Sequence, residues 1–441
     1  MKNKLLLVIF ILIVVGISSL NRPKTMIACA FLKNPLTYEA DKNRSTYLNI
    51  LEYSASGKLF EDDIFFQLPT SEAGNRTNRR EIDAKLPPRL LKSIAWIESD
   101  MLMATSQVAY NSKGPALVAF DCGYGIMQVT SGMQKPDNGK LVSNQQVLIG
   151  THPSYNIAAG AKLLANKWNQ APQSRPIVGI DTDSNPSILE NWYYATWSYN
   201  GFSGPGTNKS NHPLDPIFGS WPRPIYTCDG KYPKNQFPYQ ELVWGCLHNP
   251  PTIKGNQLWD PVQVSLPNLS DPVYADKLSL TNFVYPYKNM DIQTPTPVHF
   301  AKNPNSLFSS KSLLLGNPKL LLSRDNIKIQ TNIGNNNEDS KITISNLGTG
   351  LLSWNAYTSY PWIVIESPAG IAIGKDIECD LPACQRESKI QIKINPTLLP
   401  DARAIGKIVV QFPNGNIVDQ VITVDAFSEF NTGIAGISKI Y

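Results

Sequence analysis

The hydrophobic period of this chain changes between its two halves, and this change limits the possible folds more than any other feature. From Leu86 to about Phe202, apolar residues recur three or four positions apart, which is typical of helices that bury one face. From Ile327 onward they alternate with polar residues, as in 389–394 and 407–412, and turn residues separate the alternating runs. The sequence therefore predicts a helical domain followed by an all-β domain.

Several short alternating strands at this spacing indicate a β-sandwich of immunoglobulin-like type. Residues 203–300, between the two patterns, are rich in proline and aromatic residues, and we expect them to form long loops packed on the helical domain. The predicted segments are a signal peptide or membrane anchor (1–20), an irregular segment that packs on the helical domain (21–85), the helical domain with its loop-rich extension (86–290), a linker (291–325), the sandwich (326–430) and a tail (431–441).

The first 20 residues predict the compartment. Lys2 and Lys4 precede an apolar run from Leu5 to Val15, and small residues follow, which is the arrangement of an export signal. The run is slightly shorter than the roughly 18 to 20 apolar residues that span a bilayer, so a cleaved signal and a retained anchor both stay open. We expect a protein of the cell envelope or the exterior that contacts the membrane only through this segment.

Six cysteines in an exported chain predict disulfide bonds. Two pairs are close enough in sequence to close short loops, and the third follows by elimination. The expected pairings are Cys379–Cys384, Cys228–Cys246 and Cys29–Cys122.

Composition and motifs exclude several classes of function. The formal net charge is only +5 over 441 residues, and no dense block of lysine and arginine appears, so we expect no nucleic-acid partner. The four histidines lack ligand spacing, and there is no phosphate-binding loop or nucleophile elbow, so we predict no metal and no cofactor. Catalysis by a carboxylate is then the best enzymatic option. We expect the protein to be a monomer.

One carboxylate stands out in the predicted helix between Leu86 and Met103. Glu98 falls among Leu91, Ile94 and Met101, which share the apolar face. Burial raises the pKa of a carboxyl group and can keep it protonated near neutral pH, as a general acid requires. The other interpretation is a glutamate at the edge of the stripe whose head reaches solvent.

Four short elements follow one another through the helical region. They are Glu98-Ser99 at a helix end, Gly125-Ile126-Met127-Gln128, Asn156-Ile157 with Gly160, and Ser198-Tyr199-Asn200-Gly201. In this order and at these intervals they resemble the lytic transglycosylases of the soluble type, whose helical domain is related to goose-type lysozyme. Ser198 and Phe202 stand where many relatives carry alanine or glycine.

The resemblance implies roles for the matching residues. Glu98 matches the single catalytic acid, which protonates the glycosidic oxygen and then serves as a base. Tyr199 matches the tyrosine whose hydroxyl is expected to hydrogen-bond that carboxylate. We expect the substrate-binding residues to be Ser99, Tyr124, Gly125, Met127, Gln128, Asn156 and Asn200.

The resemblance also implies a substrate and a product. The substrate would be the glycan strands of peptidoglycan, cut at the MurNAc–GlcNAc β-1,4 bond. Because the C6 hydroxyl of the same muramyl residue attacks the anomeric carbon, one carboxylate suffices where most glycosidases need two. The product would carry a 1,6-anhydroMurNAc end.

Two other functions stay open. Asp121, just before the Gly125 turn, could orient a water molecule as in goose-type lysozymes, which would make the protein a hydrolase; it could equally be a turn-forming aspartate. Asp100 would project away from Glu98 on a helix. The third candidate is a non-catalytic glycan-binding envelope protein built on an inactivated lysozyme fold.

The C-terminal strands resemble the BACON-type sandwich modules of exported bacterial proteins, on the run from Asn346 to Gly350 and the residues around Trp354 and Trp362. The resemblance implies contact with cell-wall or other glycans as one role, and a spacer as the other. Both tryptophans are expected in the sandwich core.

Overall fold

The computed structural model describes residues 28–137, 140–171, 176–204, 210–272, 291–302, 313–331, 340–382 and 384–427. The predicted signal or anchor and the predicted tail lie outside these residues. None of the helices in the described part of the chain combines the length and the apolarity that a membrane crossing needs.

The first half of the described chain is mainly helical. Its α-helices are α1 (Ser45–Ala55), α2 (Pro88–Ser99), α3 (Asn144–Thr151), α4 (Pro153–Asn169), α5 (Tyr193–Tyr199) and α6 (Tyr239–His248). Apolar residues at helical spacing in 153–168 predict a second helix, and α4 coincides with it. The same spacing in 188–199 predicts a third helix, which in the structure divides into a 3₁₀ turn at Leu189–Trp192 and α5. α6 corrects the prediction that 203–300 contains only loops.

The first half also contains short strands, and one pair of them joins the N-terminal segment to the helical half. They are β1 (Leu36–Glu39), β2 (Ser71–Gly74), β3 (Arg79–Ile82), β4 (Ser112–Pro115), β5 (Thr252–Ile253) and β6 (Asn256–Gln257). β1 pairs antiparallel with β4, and β2 pairs with β3. The segment predicted as irregular therefore contains a helix and three strands in its described part.

The second half is a two-layer β-sandwich. Its strands are β7 (Leu320–Leu322), β8 (Asn326–Gln330), β9 (Lys341–Asn346), β10 (Leu351–Tyr357), β11 (Ile363–Ile365), β12 (Ala369–Ile373), β13 (Ser388–Ile394), β14 (Arg403–Gln411) and β15 (Gln420–Phe427). One sheet has the order β12-β10-β14-β15-β8 and the other β11-β13-β9-β7. All neighbours are antiparallel except β8 and β15. The predicted fold class, a helical domain followed by a β-sandwich, is confirmed.

Alternation along the strands builds the sandwich core. Ile390 and Ile392 of β13 and Ile408 and Val410 of β14 point into one apolar cluster between the sheets, because side chains two positions apart share a face. Trp354 and Trp362 are buried in the same half, as expected.

The region predicted as a linker is packed rather than free in its described parts. Asp291 pairs with Arg76, and His299 Nδ1 contacts Glu190 Oε1 at 2.8 Å. β7, inside the predicted linker, is an edge strand of the sandwich. The sequence pattern suggested a linker because prolines and polar residues fill this region, but its backbone partners lie far away along the chain.

The helical half and the sandwich share one apolar core. Ile371 and Ile373 of β12 belong to the same buried cluster as the α2 residues Leu91 and Ile94. Polar contacts cross the same interface: Tyr38 Oη donates to the Glu378 carbonyl at 2.9 Å. The sandwich is therefore packed directly against the helical half.

All three expected disulfides are present, between Cys29 and Cys122, Cys228 and Cys246, and Cys379 and Cys384. The first bond ties the start of the described chain to the loop before the Gly125 turn. The second connects α6 to the extended segment that precedes it.

Candidate active site

Glu98 lies in the last turn of α2. The helix begins at a proline, which is tolerated in a first turn, and it ends where Asp100 and Met101 adopt left-handed backbone angles, with φ of 52° and 56°. Leu91 and Ile94 are fully buried on the apolar face, while the Glu98 side chain is only partly buried. The carboxyl group therefore lies at the border between the core and the surface.

The environment of Glu98 raises the pKa of its carboxyl group from 4.5 to about 7. Burial is the largest cause, because it disfavours the charged form, and the negative charge of Asp121 acts in the same direction. A hydrogen bond from Tyr239 and the positive charge of Lys234 lower the pKa and partly oppose this effect. Glu98 can therefore hold or release a proton near neutral pH.

Tyr239 contacts the Glu98 carboxyl group directly. Its hydroxyl donates to Glu98 Oε1 at 2.6 Å. Tyr239 is the first residue of α6 and is buried, so its ring is held by the protein interior. No motif in the sequence pointed to Tyr239. Leu242 and Cys246, four positions apart and preceded by Pro238, nevertheless fit a helix that begins at this proline.

Tyr199 lies close to Glu98 but makes a different hydrogen bond from the one expected. Its hydroxyl donates to the Met127 carbonyl at 2.8 Å. Burial, and then the charge of Glu98, raise the pKa of Tyr199 well above its usual value. The hydrogen bond to Glu98 that the resemblance implied for Tyr199 is made instead by Tyr239, because α6 brings a second hydroxyl to the carboxyl group.

The turn at Gly125 is held from two sides. Ser99 Oγ, next to Glu98, donates to the Ile126 carbonyl at 2.8 Å. Asn156, on α4, accepts from the Met127 amide at 3.0 Å and donates to the Tyr124 carbonyl at 2.8 Å. These contacts fix the turn against both helices.

Several predicted substrate contacts therefore lie in the interior. Those whose side chains are buried are Ser99, Tyr124, Met127 and Asn156. The polar side-chain groups of Ser99 and Asn156 form hydrogen bonds with backbone groups, and the ring of Tyr124 packs against Phe31. These contacts give the four residues a structural role in shaping the turn, and the direct sugar contact expected of them stays a prediction.

Gly125 is required by the same packing. Its φ is +61°, and a Cβ there would lie 2.5 Å from Met103 Sδ and 2.9 Å from Asn156 Nδ2. The missing side chain therefore makes room for protein atoms, and the expected contact of Gly125 with the substrate stays a prediction.

Gln128 and Asn200 are the predicted contacts that remain accessible. Gln128 is partly buried, and its Nε2 donates to the Gly125 carbonyl at 2.8 Å. Asn200 is exposed, and its Oδ1 accepts from Asn211 Nδ2 at 2.8 Å.

Two adjoining cavities lie at the other end of α2. Their volumes are about 280 and 400 Å³, both are lined by Pro87, Ala301 and Lys302, and Glu98 lines neither. Among the described residues no group of three or more histidine, cysteine, aspartate or glutamate side chains could hold a metal ion. The carboxyl group of Glu98 can itself transfer a proton, because its pKa is raised to about 7.

Comparison with known families agrees with this geometry. Residues 77–215 match the family described as Transglycosylase SLT domain. The SLT domain contains Glu98, the Gly125 turn and Tyr199, but it ends before Tyr239 on α6. No curated protein matches the chain.

Solved structures with some similarity include a Bacteroides ovatus GH5 xyloglucanase in complex with a XXXG heptasaccharide, the C. elegans MSP family member WR4, and a PapD-like domain of human CEP192. Their sequence identities are 15%, 16% and 14%, and their TM-scores are 0.17, 0.17 and 0.19. The matches cover 25%, 25% and 30% of this chain, and 19%, 97% and 94% of those chains. At these scores the likenesses carry no conclusion about function.

Proposed function

We propose that this protein is a peptidoglycan lytic transglycosylase that cuts the MurNAc–GlcNAc β-1,4 bond, with Glu98 as its single acid and base. The observation that carries the proposal is a partly buried carboxyl group, with a pKa raised to about 7, at the end of a helix in an SLT domain. A carboxyl group of this kind can be protonated at the pH where it must act as an acid.

The proposed reaction needs no water. Glu98 gives its proton to the glycosidic oxygen as the bond from C1 to that oxygen breaks. The carboxylate then takes the proton of the C6 hydroxyl, whose oxygen forms the new bond to C1 and closes the 1,6-anhydro ring. Tethering of the nucleophile within the substrate supplies much of the rate advantage.

Tyr239 supports both halves of this cycle. A hydroxyl that donates to Glu98 stabilises the carboxylate left after the first proton transfer, and it also fixes the direction in which the carboxyl group points. Tyr199 would act indirectly: its hydroxyl donates to the Met127 carbonyl and so holds the turn next to Glu98. Gln128 and Asn200 are the residues that we propose to contact the glycan.

A hydrolase is the second candidate, and Asp121 is the observation that favours it. Asp121 is partly exposed, and its charge acts on Glu98. A carboxylate at that position could orient a water molecule toward the anomeric carbon in place of the C6 hydroxyl.

Three disulfides support a location outside the cytoplasm, in the envelope or the exterior. We propose peptidoglycan strands as the partner of the SLT domain and keep glycan contact by the sandwich as a weaker proposal, because Trp354 and Trp362 are buried. We also propose that the protein acts as a monomer, with no nucleic-acid partner.

Digestion of purified sacculi followed by mass spectrometry tests these proposals. Fragments that end in anhydro sugars, lighter by one water than reducing ends, support the transglycosylase, and reducing ends support the hydrolase. Glu98→Gln should abolish release of either product, while Glu81→Gln, at an exposed carboxylate on β3, should keep wild-type activity. Sacculi that are bound but never solubilised by the wild-type protein would refute both enzymatic functions.

A further inference from the structure

Asn211 connects the two elements that approach Glu98 from the far side. Its Nδ2 donates to Asn200 Oδ1 at 2.8 Å, and its Oδ1 accepts from the Tyr239 amide at 3.3 Å. Its backbone carbonyl accepts from Gln240 Nε2 at 2.9 Å. Asn211 is only 8% exposed, so these contacts form away from bulk solvent.

The contact with the Tyr239 amide replaces a missing helix cap. The first amides of a helix have no partner within the helix, and a side chain of the preceding residue usually satisfies one of them. The residue before α6 is Pro238, which provides no such side-chain hydrogen bond. Asn211 therefore supplies the acceptor from another segment of the chain, and the first turn of α6 is held against the residue that follows α5.

The position of this cap matters because Tyr239 is the residue that is capped. The same residue that donates its amide to Asn211 donates its hydroxyl to Glu98. Two residues further along α6, the Arg223–Glu241 ion pair, with Nε to Oε2 at 2.6 Å, connects the helix to a different loop. Asn211 thus acts at the end of α6 nearest the carboxyl group.

We propose that Asn211 is a positioning residue, which holds the start of α6 against Asn200 so that the Tyr239 hydroxyl stays on the Glu98 carboxyl group. Asn211 does not touch Glu98 and acts through Tyr239 alone. The proposal rests on the proposed function, since it assumes that Glu98 is the acid.

A pH profile separates positioning from a purely structural role. Among the described residues, the groups that face Glu98 are Tyr239 from α6, Tyr199 from α5, Asp121 from the loop before the turn, and Lys234 from the 3₁₀ turn before α6. Of these four residues, Tyr239 is the one with a hydrogen bond to Asn211. Because the Tyr239 hydrogen bond lowers the pKa of Glu98, a looser contact lets that pKa rise, and the alkaline limb of activity moves to higher pH.

The experiment measures product release from sacculi against pH for the wild type, Asn211→Ala, Tyr239→Phe and the double variant. We expect Asn211→Ala to lower the rate roughly tenfold and to move the alkaline limb upward, in the same direction as Tyr239→Phe. The double variant should lose no more than Tyr239→Phe alone, since both changes remove the same contact. Additive losses, or a lower rate with an unmoved limb, would overturn the proposal.

Asn346→Ala is the matched control. Asn346 is also a buried asparagine, and its side chain accepts from the Lys319 and Gly348 amides and donates to the Gly350 carbonyl, all within the sandwich. Its replacement should lower stability and leave the pH limb in place. If Asn211→Ala does not fold, Asn211→Asp takes its place in the same cycle, because it keeps an acceptor for the Tyr239 amide but loses the donor to Asn200. We expect a loss of rate in Asn211→Asp that disappears in the Tyr239→Phe background. No loss, or a loss that adds in full to that of Tyr239→Phe, overturns the proposal.

The outcomes also separate this inference from the function on which it rests. A wild-type protein that releases no product refutes the proposed function. An active wild type together with an Asn211→Ala variant of unchanged rate and pH profile refutes the positioning role alone.

Discussion

The Tyr239 hydroxyl lies 2.6 Å from Glu98 Oε1, although 141 residues separate the two in sequence. The contact makes α6 part of the candidate active site, beyond the end of the SLT match at residue 215. A hydrogen bond to a charged group contributes more to stability than one between neutral groups, so the contact favours the ionised form of Glu98. The extension that was predicted to be loop-rich therefore contributes a residue, Tyr239, to the candidate site.

Tyr239→Phe and Tyr199→Phe should have different effects. We expect Tyr239→Phe to lower activity roughly 10- to 100-fold and to move the alkaline limb to higher pH, because the hydrogen bond that lowers the pKa of Glu98 is lost. Tyr199→Phe removes the bond to the Met127 carbonyl and should lower the melting temperature while the limb stays in place. Rate measurements across pH check both, and a limb that moves only in Tyr199→Phe would contradict the assignment.

The ionisation of Glu98 should destabilise the fold at high pH. Because the folded-state pKa of about 7 lies above the ordinary 4.5, this group contributes stability below pH 4.5 that is lost as pH rises through 7. Glu98→Gln cannot ionise, so it should be more stable than the wild type at pH 8 by about 1 to 3 kcal/mol, with little difference at pH 4. Thermal unfolding at both pH values measures this, and an equal difference at the two would count against the raised pKa.

Glu39 should be essential for stability. Its side chain is fully buried on β1, accepts from the Met103 and Ala104 amides at 2.9 and 2.8 Å, and pairs with Arg44 at 2.9 Å. Glu39→Ala leaves a buried guanidinium without its partner, and we expect a loss of about 3 to 5 kcal/mol in the free energy of unfolding.

The ion pair of Arg403 with Asp425 in the sandwich is the control for Glu39→Ala. The Arg403 side chain is 65% exposed, so Arg403→Ala should change the free energy of unfolding much less than Glu39→Ala does. Chemical denaturation of both variants gives the comparison. Similar losses in the two would show that burial of the Glu39 pair contributes little.

Removal of the sandwich should unfold the helical half. A chain that ends at residue 302 lacks the Glu378 carbonyl that accepts from Tyr38 Oη and the Ser353 hydroxyl that lies 2.9 Å from Thr151 Oγ1. It also exposes the apolar surface that β12 covers. We expect no cooperative thermal transition and strong binding of a hydrophobic dye. Ser353→Ala, which removes one hydrogen bond, should retain the transition; a truncated chain that melts like the full one would refute the shared core.

Local patterns predicted the two halves well, for physical reasons that particular residues illustrate. Helical spacing identified α2 and α4 within a few residues, and alternation identified β13 and β14, because both periods are set by contacts between near neighbours. The same reasoning failed at 291–302 and at α6, where prolines and aromatic residues obscure the period and the partners lie far along the chain.

The sequence by itself determined the order of a helical and a β-sheet half, the helix that carries Glu98, and the glycine turn beside it, because these depend on residues a few positions apart. Only the tertiary structure decided that Tyr239 contacts Glu98, that Asn156 and Ser99 hold the turn, and that both halves share a core. These contacts join segments distant in sequence, and no local spacing encodes which of two buried hydroxyls reaches a carboxyl group.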